Sequence, residues 1–351
     1  MIPKAPPGEY RLSSYDYPLD ESLIAQVPSA DRDQARLMVL DRKTGRIEHR
    51  RFQDLVHYLR PSDVLVVNDT RVIPARLPGR KMPGGGKIEV LMLREADGPK
   101  QWEVLLRGSV HAGQAIRFGT GETAVVRRDL GYGRKILEWM GEEAVASIIA
   151  RLGHTPLPPY IRRSPAAEDR EQYQTVYAAA PGSVAAPTAG LHFTETLLDR
   201  IRAHGVNVVS VTLHIGPGTF RPVRCGDIRR HQMDSEWYDI GPSAVEVLEE
   251  VRRRKGRIVA VGTTATRVLE SAIRDSGSFQ ARSGWTALFI TPGYSFKCVD
   301  GLVTNFHLPK STLLMLVSAF AGLPYIRQAY AEALRSRYRF LSYGDAMLIL
   351  S

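Results

Sequence analysis

Four histidines lie beside segments of the sequence that are rich in glycine, threonine and asparagine. They are His192, His214, His231 and His307. Imidazole titrates closer to neutral pH than other side chains, so each of the four is a candidate general base. No pair has the spacing of a metal site on a helix or in a zinc knuckle, so we expect no bound metal. A single histidine is more often a hydrogen-bonded structural residue, and that alternative stays open for each.

Three polar segments follow directly after predicted strands, where open α/β sheets place their ligands. The first is 214–220, in which Gly216 and Gly218 would let the backbone approach a ligand and Thr219 offers a hydroxyl. Pro222 and the residues after it do not continue as a helix, so the segment does not match a dinucleotide-binding fingerprint. It is either a ligand loop or a tight structural turn.

The second polar segment, Gly262-Thr263-Thr264, leads into a predicted helix. Free backbone N–H groups and threonine hydroxyls at the start of a helix bind carboxylates or phosphates. Ordinary capping of the helix by Thr263 or Thr264 would explain the same residues without a ligand. For this segment, capping is the favoured interpretation.

The third polar segment, 66–76, places Asn68, Asp69, Arg71 and Arg76 on the border between two predicted domains. Asn and Asp start turns for local reasons. Two arginines add a capacity for binding anions that a turn does not need, so we favour a functional role.

Two further segments are unusual for loops. Residues 185–194 surround His192 with small side chains, and residues 302–309 place Asn305 and His307 just before a predicted helix.

The elements that must position these residues are of two kinds. Strands and helices alternate in the second half of the sequence, which predicts a mainly parallel sheet covered by helices. Short strands with glycine turns between 73 and 132 predict a small barrel or sandwich. We therefore predict an α/β fold with a mixed, largely parallel sheet in a discontinuous main domain, 1–72 and 154–351, and an inserted small β-barrel domain, 73–153.

Local signals give the bounds of individual elements. Gly153 is at the C-cap position of a predicted helix, and Ser243 with Glu246 has the spacing of a capping box. The predicted main-domain strands are 36–41, 46–49, 63–67, 206–213, 257–261 and 286–290. The predicted barrel strands are 87–94, 101–107, 115–118, 122–128 and 134–140. The predicted helices are 52–59, 142–152, 194–204, 242–255, 266–274 and 311–321.

Composition excludes several classes of protein. The 351 residues are 44% hydrophobic, which suits a packed core and excludes a disordered chain. No apolar run approaches the ~18 residues of a membrane span. The first seven residues do not resemble a signal peptide, and two cysteines cannot form a disulfide framework, so we expect a reducing cytoplasm. The net charge of +10 makes a nucleic acid a plausible partner.

The sequence resembles the S-adenosylmethionine:tRNA ribosyltransferase-isomerase family of queuosine biosynthesis along nearly its whole length. One matching motif is Gly-His-Thr-Pro-Leu-Pro-Pro-Tyr-Ile at 153–161, and another is Tyr-Gln-Thr-Val-Tyr at 173–177. The other matching runs are 67–76, 85–91, 184–193, 211–223, 259–264, 303–309, 311–313 and 338–347. Two departures are Asp234, where the family has a histidine between Met233 and Ser235, and Ala265-Thr266 in place of Ser-Val.

The resemblance implies a reaction in which S-adenosylmethionine is a consumed substrate and no cofactor is needed. Its ribosyl part is transferred to the aminomethyl group of 7-aminomethyl-7-deazaguanine (preQ1) at the tRNA wobble position and rearranges to give epoxyqueuosine, while adenine and methionine leave. The implied tRNA partners carry Asp, Asn, His and Tyr type anticodons. The implied fold is an α/β domain with an inserted β-barrel. We expect a monomer without membrane contact, because no large exposed apolar stripe stands out.

This chemistry assigns expected roles to the residues above. His192 or His214 would remove a proton next to the sulfonium, and Asp69, Glu236 or Asp345 would protonate the departing adenine. Tyr343 or Phe193 would lie near the sulfonium. The expected substrate-binding residues are Asn68, Arg71, Thr188, Gly190, Gly216, Gly218, Thr219, Thr263, Thr264, Asn305, His307, Tyr343 and Asp345. The expected tRNA-binding residues are Arg76, Arg80, Lys81, Arg162 and Arg163.

Two alternatives remain at the level of sequence. The first is an RNA methyltransferase that uses the same donor, although the sequence lacks a glycine-rich loop after its first strand. The second is a non-catalytic RNA-binding protein, although the ends of its strands carry Thr, His, Asn and Gly rather than basic and stacking residues.

Overall fold

A computed structural model of the chain describes residues 8–220, 222–273 and 277–351. The strands are β1 (Arg36–Asp41), β2 (Ile47–Arg51), β3 (Val64–Asn68), β4 (Thr70–Val72), β5 (Arg76–Met82), β6 (Lys87–Ala96), β7 (Gly98–Arg107), β8 (Ala115–Phe118), β9 (Thr123–Gly131), β10 (Arg134–Trp139), β11 (Ala180–Ser183), β12 (Asn207–Leu213), β13 (Glu236–Ile240), β14 (Ile258–Val261), β15 (Arg282–Thr286), β16 (Gly301–Asn305) and β17 (Ala346–Leu350). The α-helices are α1 (Val145–Leu152), α2 (Asp169–Gln172), α3 (Glu195–Ala203), α4 (Pro242–Arg253), α5 (Gly262–Ala272), α6 (Thr312–Ala321) and α7 (Leu323–Arg335).

The central element is a nine-stranded mixed sheet with the order β15-β13-β12-β3-β14-β16-β17-β1-β2. Its four middle strands, β12, β3, β14 and β16, are parallel to one another. Antiparallel pairs continue the sheet on both sides, through β13 and β15 on one side and β17 on the other. Four neighbouring strands therefore end at the same edge of the sheet.

Both faces of this sheet are covered, as the apolar run at 63–67 indicates. Val64 and Val66 pack into the core that includes side chains from α4, α5, α6 and α7. Leu65 and Val67 point to the opposite face and pack into the core that includes α3. Because successive side chains of a strand alternate between faces, a central strand needs apolar residues at every position.

The inserted element is a closed barrel with the strand order β10-β7-β6-β5-β8-β9. All of its strand pairings are antiparallel. Its interior is a separate apolar core, in which the ring centroids of Phe118 and Trp139 lie 4.8 Å apart. The prediction of an α/β sheet with an inserted barrel is confirmed. Strand β5 was missed because Pro78 and Gly79 interrupt its pattern; a Cβ on Gly79 would lie 2.8 Å from Ile116 Cγ2.

The chain enters and leaves the barrel at one point, where Arg76 and His154 form a β-bridge. Gly153 precedes it, and a Cβ on this residue would lie 1.7 Å from the carbonyl oxygen of Pro74. Its φ of −78° shows that glycine is required by this close approach and not by a left-handed cap. All six barrel strands lie inside 73–153, and those domain bounds stay a prediction.

Several helix starts differ from the predictions. Helix α5 begins at Gly262, four residues earlier than expected, and the expected end at Arg274 lies outside the described residues. The capping box of Ser243 and Glu246 is wrong, because Gly241 is the N-cap and no side chain caps α4. Residues Phe52–Tyr58 form a 3-10 helix. Strands β4, β11, β13, β16 and β17 and helices α2 and α7 were not predicted. The predicted strand 286–290 is wrong, because β15 covers Arg282–Thr286 and residues 287–290 lie in no strand.

Within the three described ranges, no helix has the length and apolarity needed to cross a membrane. In the same ranges, no three side chains of His, Cys, Asp or Glu are grouped as metal ligands would be.

Candidate active site at the carboxyl edge of the sheet

The polar segments singled out in the sequence meet at the carboxyl ends of the four parallel strands. His214 follows β12, Asn68 ends β3, Gly262 follows β14, and Asn305 ends β16. These strands are neighbours in the sheet, so residues far apart in sequence lie side by side. This edge of a parallel sheet is the usual place for a ligand site.

Two cavities open at this edge. The first, called the edge pocket, has an empty volume of about 670 Å³ that includes its open mouth. It is lined by Tyr160, Ala185, Ala186, Pro187, Thr188, Ala189, Ile215, Thr219, Gly262, Thr263, Thr264, Thr304, Asn305, Phe306, His307, Leu308, Ser311, Leu313, Leu341 and Ser342. Six expected substrate-binding residues are among these: Thr188, Thr219, Thr263, Thr264, Asn305 and His307.

The floor of the edge pocket includes the first turn of α5. Gly262 has a φ of +89°, a conformation that glycine adopts without strain, and this turns the chain from β14 directly into the helix. The N-cap is Val261, whose side chain makes no capping hydrogen bond. The favoured interpretation of Thr263 or Thr264 as the cap is therefore wrong. Both threonines lie inside the helix, and the first N–H groups of a helix have no partner within the helix itself.

A chain of hydrogen bonds fixes Asn305 at the wall of the edge pocket. Thr188 Oγ1 donates to Asn305 Oδ1 at 2.8 Å, and Asn305 Nδ2 lies 3.2 Å from both His192 Nε2 and the carbonyl oxygen of Leu341. Complete burial lowers the pKa of His192 to about 4, and its ring packs 4.9 Å from that of Phe52. His192 lies behind Asn305 and not on the pocket surface. This position suits a residue that holds Asn305 in place better than one that removes a proton from a substrate.

His307 is the histidine that lines the edge pocket. Its Nε2 lies 2.7 Å from Thr304 Oγ1, and its backbone N–H donates to the hydroxyl of Tyr330 at 2.9 Å. Burial lowers its pKa to about 3, so the ring is neutral at physiological pH.

Asn68 was expected to bind substrate, but all its polar capacity is used within the protein. Its Nδ2 donates to the Leu213 carbonyl and to Thr264 Oγ1, each at 3.1 Å. Its Oδ1 accepts from the N–H groups of Thr70 and Leu213 at 3.1 and 3.0 Å. A carboxamide has two donors and two lone pairs, so Asn68 joins β3, β12 and α5 and has nothing left for a ligand.

The second cavity, called the cleft pocket, lies between the barrel and the main sheet. Its lining is Leu93, Arg94, Glu103, Arg134, Gly182, His214, Ile215, Gly216, Pro217, Asp234, Ser235, Glu236, Trp237 and Trp285. Ile215 lines both pockets, so the two pockets meet at the glycine-containing segment 214–219.

His214 is held in the cleft pocket by two contacts. Its Nδ1 lies 2.8 Å from Thr70 Oγ1, and its ring stacks on Trp237 with centroids 5.0 Å apart and an interplanar angle of 20°. Burial lowers its pKa, which keeps the imidazole unprotonated and able to accept a proton at neutral pH. A Cβ on Gly182 would lie 2.7 Å from Nε2, so glycine makes room for this ring.

Glu236 is buried and ties the 214–219 segment to α5. It forms an ion pair with Arg267, which is also buried, and accepts from the Gly216 N–H at 2.8 Å. The hydroxyl of Thr219 lies 3.4 Å from the same carboxylate. Arg267 was missed, because nothing in the sequence distinguishes this arginine from an ordinary charged residue of a helix that also contains Glu270.

Two glycines of the expected site lie so close to neighbouring side chains that no larger residue would fit. A Cβ on Gly218 would lie 2.5 Å from Asp234 Oδ2, and a Cβ on Gly190 would lie 2.0 Å from the hydroxyl of Tyr177. Neither residue needs a ligand to explain it. Asp234, the departure from the family pattern, thus packs against the glycine segment in the cleft pocket.

Four other expected residues line neither pocket. Tyr343 donates to Asp169 at 3.1 Å, and Asp345 accepts from the guanidinium and backbone of Arg36 at 2.9 to 3.1 Å. These are contacts within the protein, and the expected contacts of Tyr343 and Asp345 with the substrate stay a prediction. Asp69 accepts from the Thr212 hydroxyl at 2.6 Å, and burial raises its pKa. Arg71, also expected to bind substrate, is exposed and outside both linings.

The expected tRNA-binding residues divide into two groups. Arg76 pairs with Glu89 at 2.9 Å, Arg163 pairs with Asp169 at 2.6 Å, and Arg162 pairs with Glu21 at 2.8 Å. These three line a third cavity, whose wall includes Pro217 of the cleft pocket. Arg80 and Lys81 lie farther along β5 than Arg76, and neither lines this cavity.

A groove on the barrel, called the basic groove, carries four cations. Arg80, Lys87, Arg107 and Arg117 line it together, and all four are exposed. Only Arg80 was singled out in the sequence, because the other three lie on different strands and converge only when the barrel closes.

Comparisons with known proteins agree along the whole chain. The family model described as "Queuosine biosynthesis protein" matches residues 12–349. The S-adenosylmethionine:tRNA ribosyltransferase-isomerase of Pelotomaculum thermopropionicum is 52% identical over 342 residues, which cover 97% of this chain and 99% of that protein. That of Symbiobacterium thermophilum is 52% identical over 343 residues, which cover 97% and 100%. The crystal structure of S-adenosylmethionine tRNA ribosyltransferase from Thermotoga maritima is 40% identical, with 96% of this chain and 100% of that chain covered and a TM-score of 0.57. This chain belongs to the queuosine biosynthesis protein family.

Proposed function

We propose that the protein transfers and isomerises the ribosyl unit of S-adenosylmethionine onto preQ1 at the wobble position of tRNA, and releases adenine and methionine. The observation that carries this proposal is the meeting of two pockets at segment 214–219, combined with about 50% identity to enzymes of that name over nearly the full chain. A reaction between a small donor and a tRNA nucleoside needs two adjoining sites of this kind.

The edge pocket is the proposed site of S-adenosylmethionine. The N-terminus of α5 offers N–H groups and a positive dipole end to the methionine carboxylate, with Thr263 and Thr264 beside it. Thr188 and Asn305, locked together at 2.8 Å, form the facing wall. The remaining lining is largely apolar, and it includes the aromatic side chains of Tyr160 and Phe306, which can stabilise the positive sulfonium.

His214 is the proposed general base. Hydrogens on the carbon next to a sulfonium are acidified, so a neutral imidazole next to the edge pocket would remove one of them. The proton moves to the imidazole, and its electron pair stays on carbon. Thr70 and Trp237 fix the ring, and burial lowers its pKa, so the base is unprotonated before the reaction.

Asp69 is the remaining candidate for protonating adenine. Glu236 is committed to Arg267, and Asp345 is committed to Arg36. Burial raises the pKa of Asp69, which favours its protonated form, although it lines neither pocket in this conformation. Adenine leaves as the bond from its nitrogen to the ribose breaks, and methionine leaves as the bond from carbon to sulfur breaks. The aminomethyl nitrogen of preQ1 forms the new bond to the transferred ribosyl unit and loses one proton.

The basic groove is the proposed contact for tRNA phosphates. Its four cations neutralise phosphates and would release counterions, so affinity falls as salt increases. The finer features of the proposal are tRNAs with Asp, Asn, His and Tyr type anticodons, a monomer in the cytoplasm and no cofactor beyond the consumed donor. The proposed domain bounds are 1–72 with 154–351, and 73–153.

The test uses S-adenosylmethionine labelled with ¹³C throughout its ribose. Purified protein, this donor and tRNA carrying preQ1 are incubated, and the tRNA nucleosides are analysed by mass spectrometry. The proposal predicts that every labelled ribose carbon appears in the modified nucleoside. Transfer of an unlabelled methyl group would identify a methyltransferase instead and refute the proposal.

A further inference from the structure

A row of flat side chains crosses the cleft pocket from the proposed base to the barrel. Trp237 and Trp285 are direct partners across the antiparallel pair β13 and β15, so their side chains share one face of the sheet. His214 stacks on Trp237 at 5.0 Å, and the guanidinium of Arg94 lies 4.8 Å from the ring centroid of Trp285. We call His214, Trp237, Trp285 and Arg94 the stacking row.

Trp285 is the most accessible of the three ring side chains in the row. Its exposed fraction is 54%, which is unusual for an indole placed at the mouth of a cavity. Indole is the largest apolar ring among the side chains, and water contact with half of its surface is unfavourable. A packing role alone would favour burial of this ring, as at Trp102 and Trp139 in the barrel core.

The barrel holds Arg94 in place above this indole. Arg94 Nε donates to Glu103 at 2.9 Å, and the same buried carboxylate is paired with Arg134 on β10. Arg94 covers one face of the indole at 4.8 Å, which leaves no room for a base between them. Aromatic rings stack on heterocyclic bases, so a base would stack on the part of the Trp285 ring that remains exposed.

We infer that Trp285 is the stacking platform for the target 7-deazaguanine after it leaves the anticodon loop. This inference rests on the proposed function and adds the residue that receives the base. Enzymes acting on a base take it out of the stack and read it against aromatic side chains. The row ends at His214, next to Ile215, which lines both pockets, so a base on Trp285 lies in the pocket that adjoins the proposed donor site.

A second heterocycle, the adenine of the donor, has the same stacking chemistry. The position of Trp285 favours the tRNA base, because Trp285 lines the cleft pocket beside the barrel and is absent from the lining of the edge pocket. If the tRNA base stacks on the indole, the KM for tRNA depends on Trp285. If the adenine of the donor stacks there, the KM for S-adenosylmethionine depends on it instead.

The test compares Trp285→Ala with Trp285→Phe, which keeps an aromatic surface. We expect Trp285→Ala to raise the KM for preQ1-containing tRNA by roughly tenfold, the order for the loss of one base–aromatic stack, with the KM for S-adenosylmethionine unchanged. Trp285→Phe should recover most of the loss. A rise in the KM for S-adenosylmethionine alone, or no change in either constant, would overturn the inference.

Tryptophan fluorescence gives a second readout that does not need turnover. The chain has four tryptophans, and two of them are buried in the barrel. An anticodon stem-loop carrying preQ1 should quench the wild-type emission, and Trp285→Phe should remove most of that quenching. Equal quenching in both proteins would overturn the inference. Absence of turnover in the wild type, with quenching retained, would instead count against the proposed function.

Discussion

The buried pair of Arg267 and Glu236 gives the sharpest prediction about the site. Arg267 is 4% exposed and Glu236 5%, and the guanidinium also donates to the carbonyl oxygens of Leu288 at 3.0 Å and Thr286 at 3.3 Å. The change Arg267→Met keeps much of the volume but removes the charge. The carboxylate is then left in the protein interior with only the Gly216 N–H and a distant hydroxyl as partners.

The expected loss follows from the cost of an unpaired buried charge. Removing one partner of such a pair lowers the free energy of unfolding by about 3–5 kcal/mol. Adding Glu236→Gln removes the stranded charge, while the amide oxygen can still accept from Gly216. We therefore expect the double variant to be more stable than Arg267→Met alone, with a coupling of about 1–3 kcal/mol.

Urea unfolding followed by circular dichroism measures these differences in the transition of the main domain. The matched control is Arg253→Met, since Arg253 forms a helix-surface pair with Glu250 and its side chain is 72% exposed. That control should lose less than about 1 kcal/mol. If Arg267→Met loses no more than the control, or if the double variant loses the sum of the two single losses, the assignment of this pair as the clamp of segment 214–219 is refuted.

Four further predictions test individual residues. His214→Ala should abolish turnover while tRNA binding in a gel-shift assay stays within twofold; near-normal turnover would remove it as the base. Burial lowers the pKa of His192 to about 4. As pH falls from about 6.5 towards 4, the unfolded chain binds a proton on this histidine that the folded chain does not, so the free energy of unfolding falls. Unfolding curves of His192→Gln should lose that part of the pH dependence. Asn68→Leu leaves buried backbone groups without partners and should cost about 1–3 kcal/mol in urea unfolding, against a much smaller loss if Asn68 only contacts ligand. Arg117→Ala should reduce the slope of log Kd against log salt for tRNA by about 1, and an unchanged slope would exclude a phosphate contact.

The carboxyl edge could be predicted from sequence because its signals are local. Each parallel strand is a short apolar run followed at once by polar residues, as at Val67-Asn68-Asp69 and Val261-Gly262-Thr263. Because the strands are parallel, their carboxyl ends and the hydrophilic residues that follow lie at one edge, whatever the order of strands in the sheet. The barrel was predicted for a similar reason, since its strands alternate and glycine turns separate them.

What the sequence did not reveal depends on contacts between distant residues. His192 looked like a catalytic base because small residues surround it, yet those residues allow it to be buried behind Asn305. Tyr343 donates to Asp169, and Asp345 pairs with Arg36. Their partners are 174 and 309 positions away, so no local pattern could separate structural from functional roles.

The basic groove and the stacking row show the same limit for surface sites. Lys87, Arg107 and Arg117 are single charges on three strands, and only closure of the barrel makes them neighbours. Trp237 and Trp285 become partners through the register of β13 and β15, which composition does not specify.

The most direct measurement of the central claim is the stoichiometry of the products. Wild-type protein, S-adenosylmethionine and tRNA carrying preQ1 are incubated, and adenine, methionine and the modified nucleoside are quantified from the same reaction. Ribosyl transfer predicts equal amounts of all three, with none formed by His214→Ala. S-adenosylhomocysteine in place of adenine and methionine, or bound tRNA with no product at all, would contradict it.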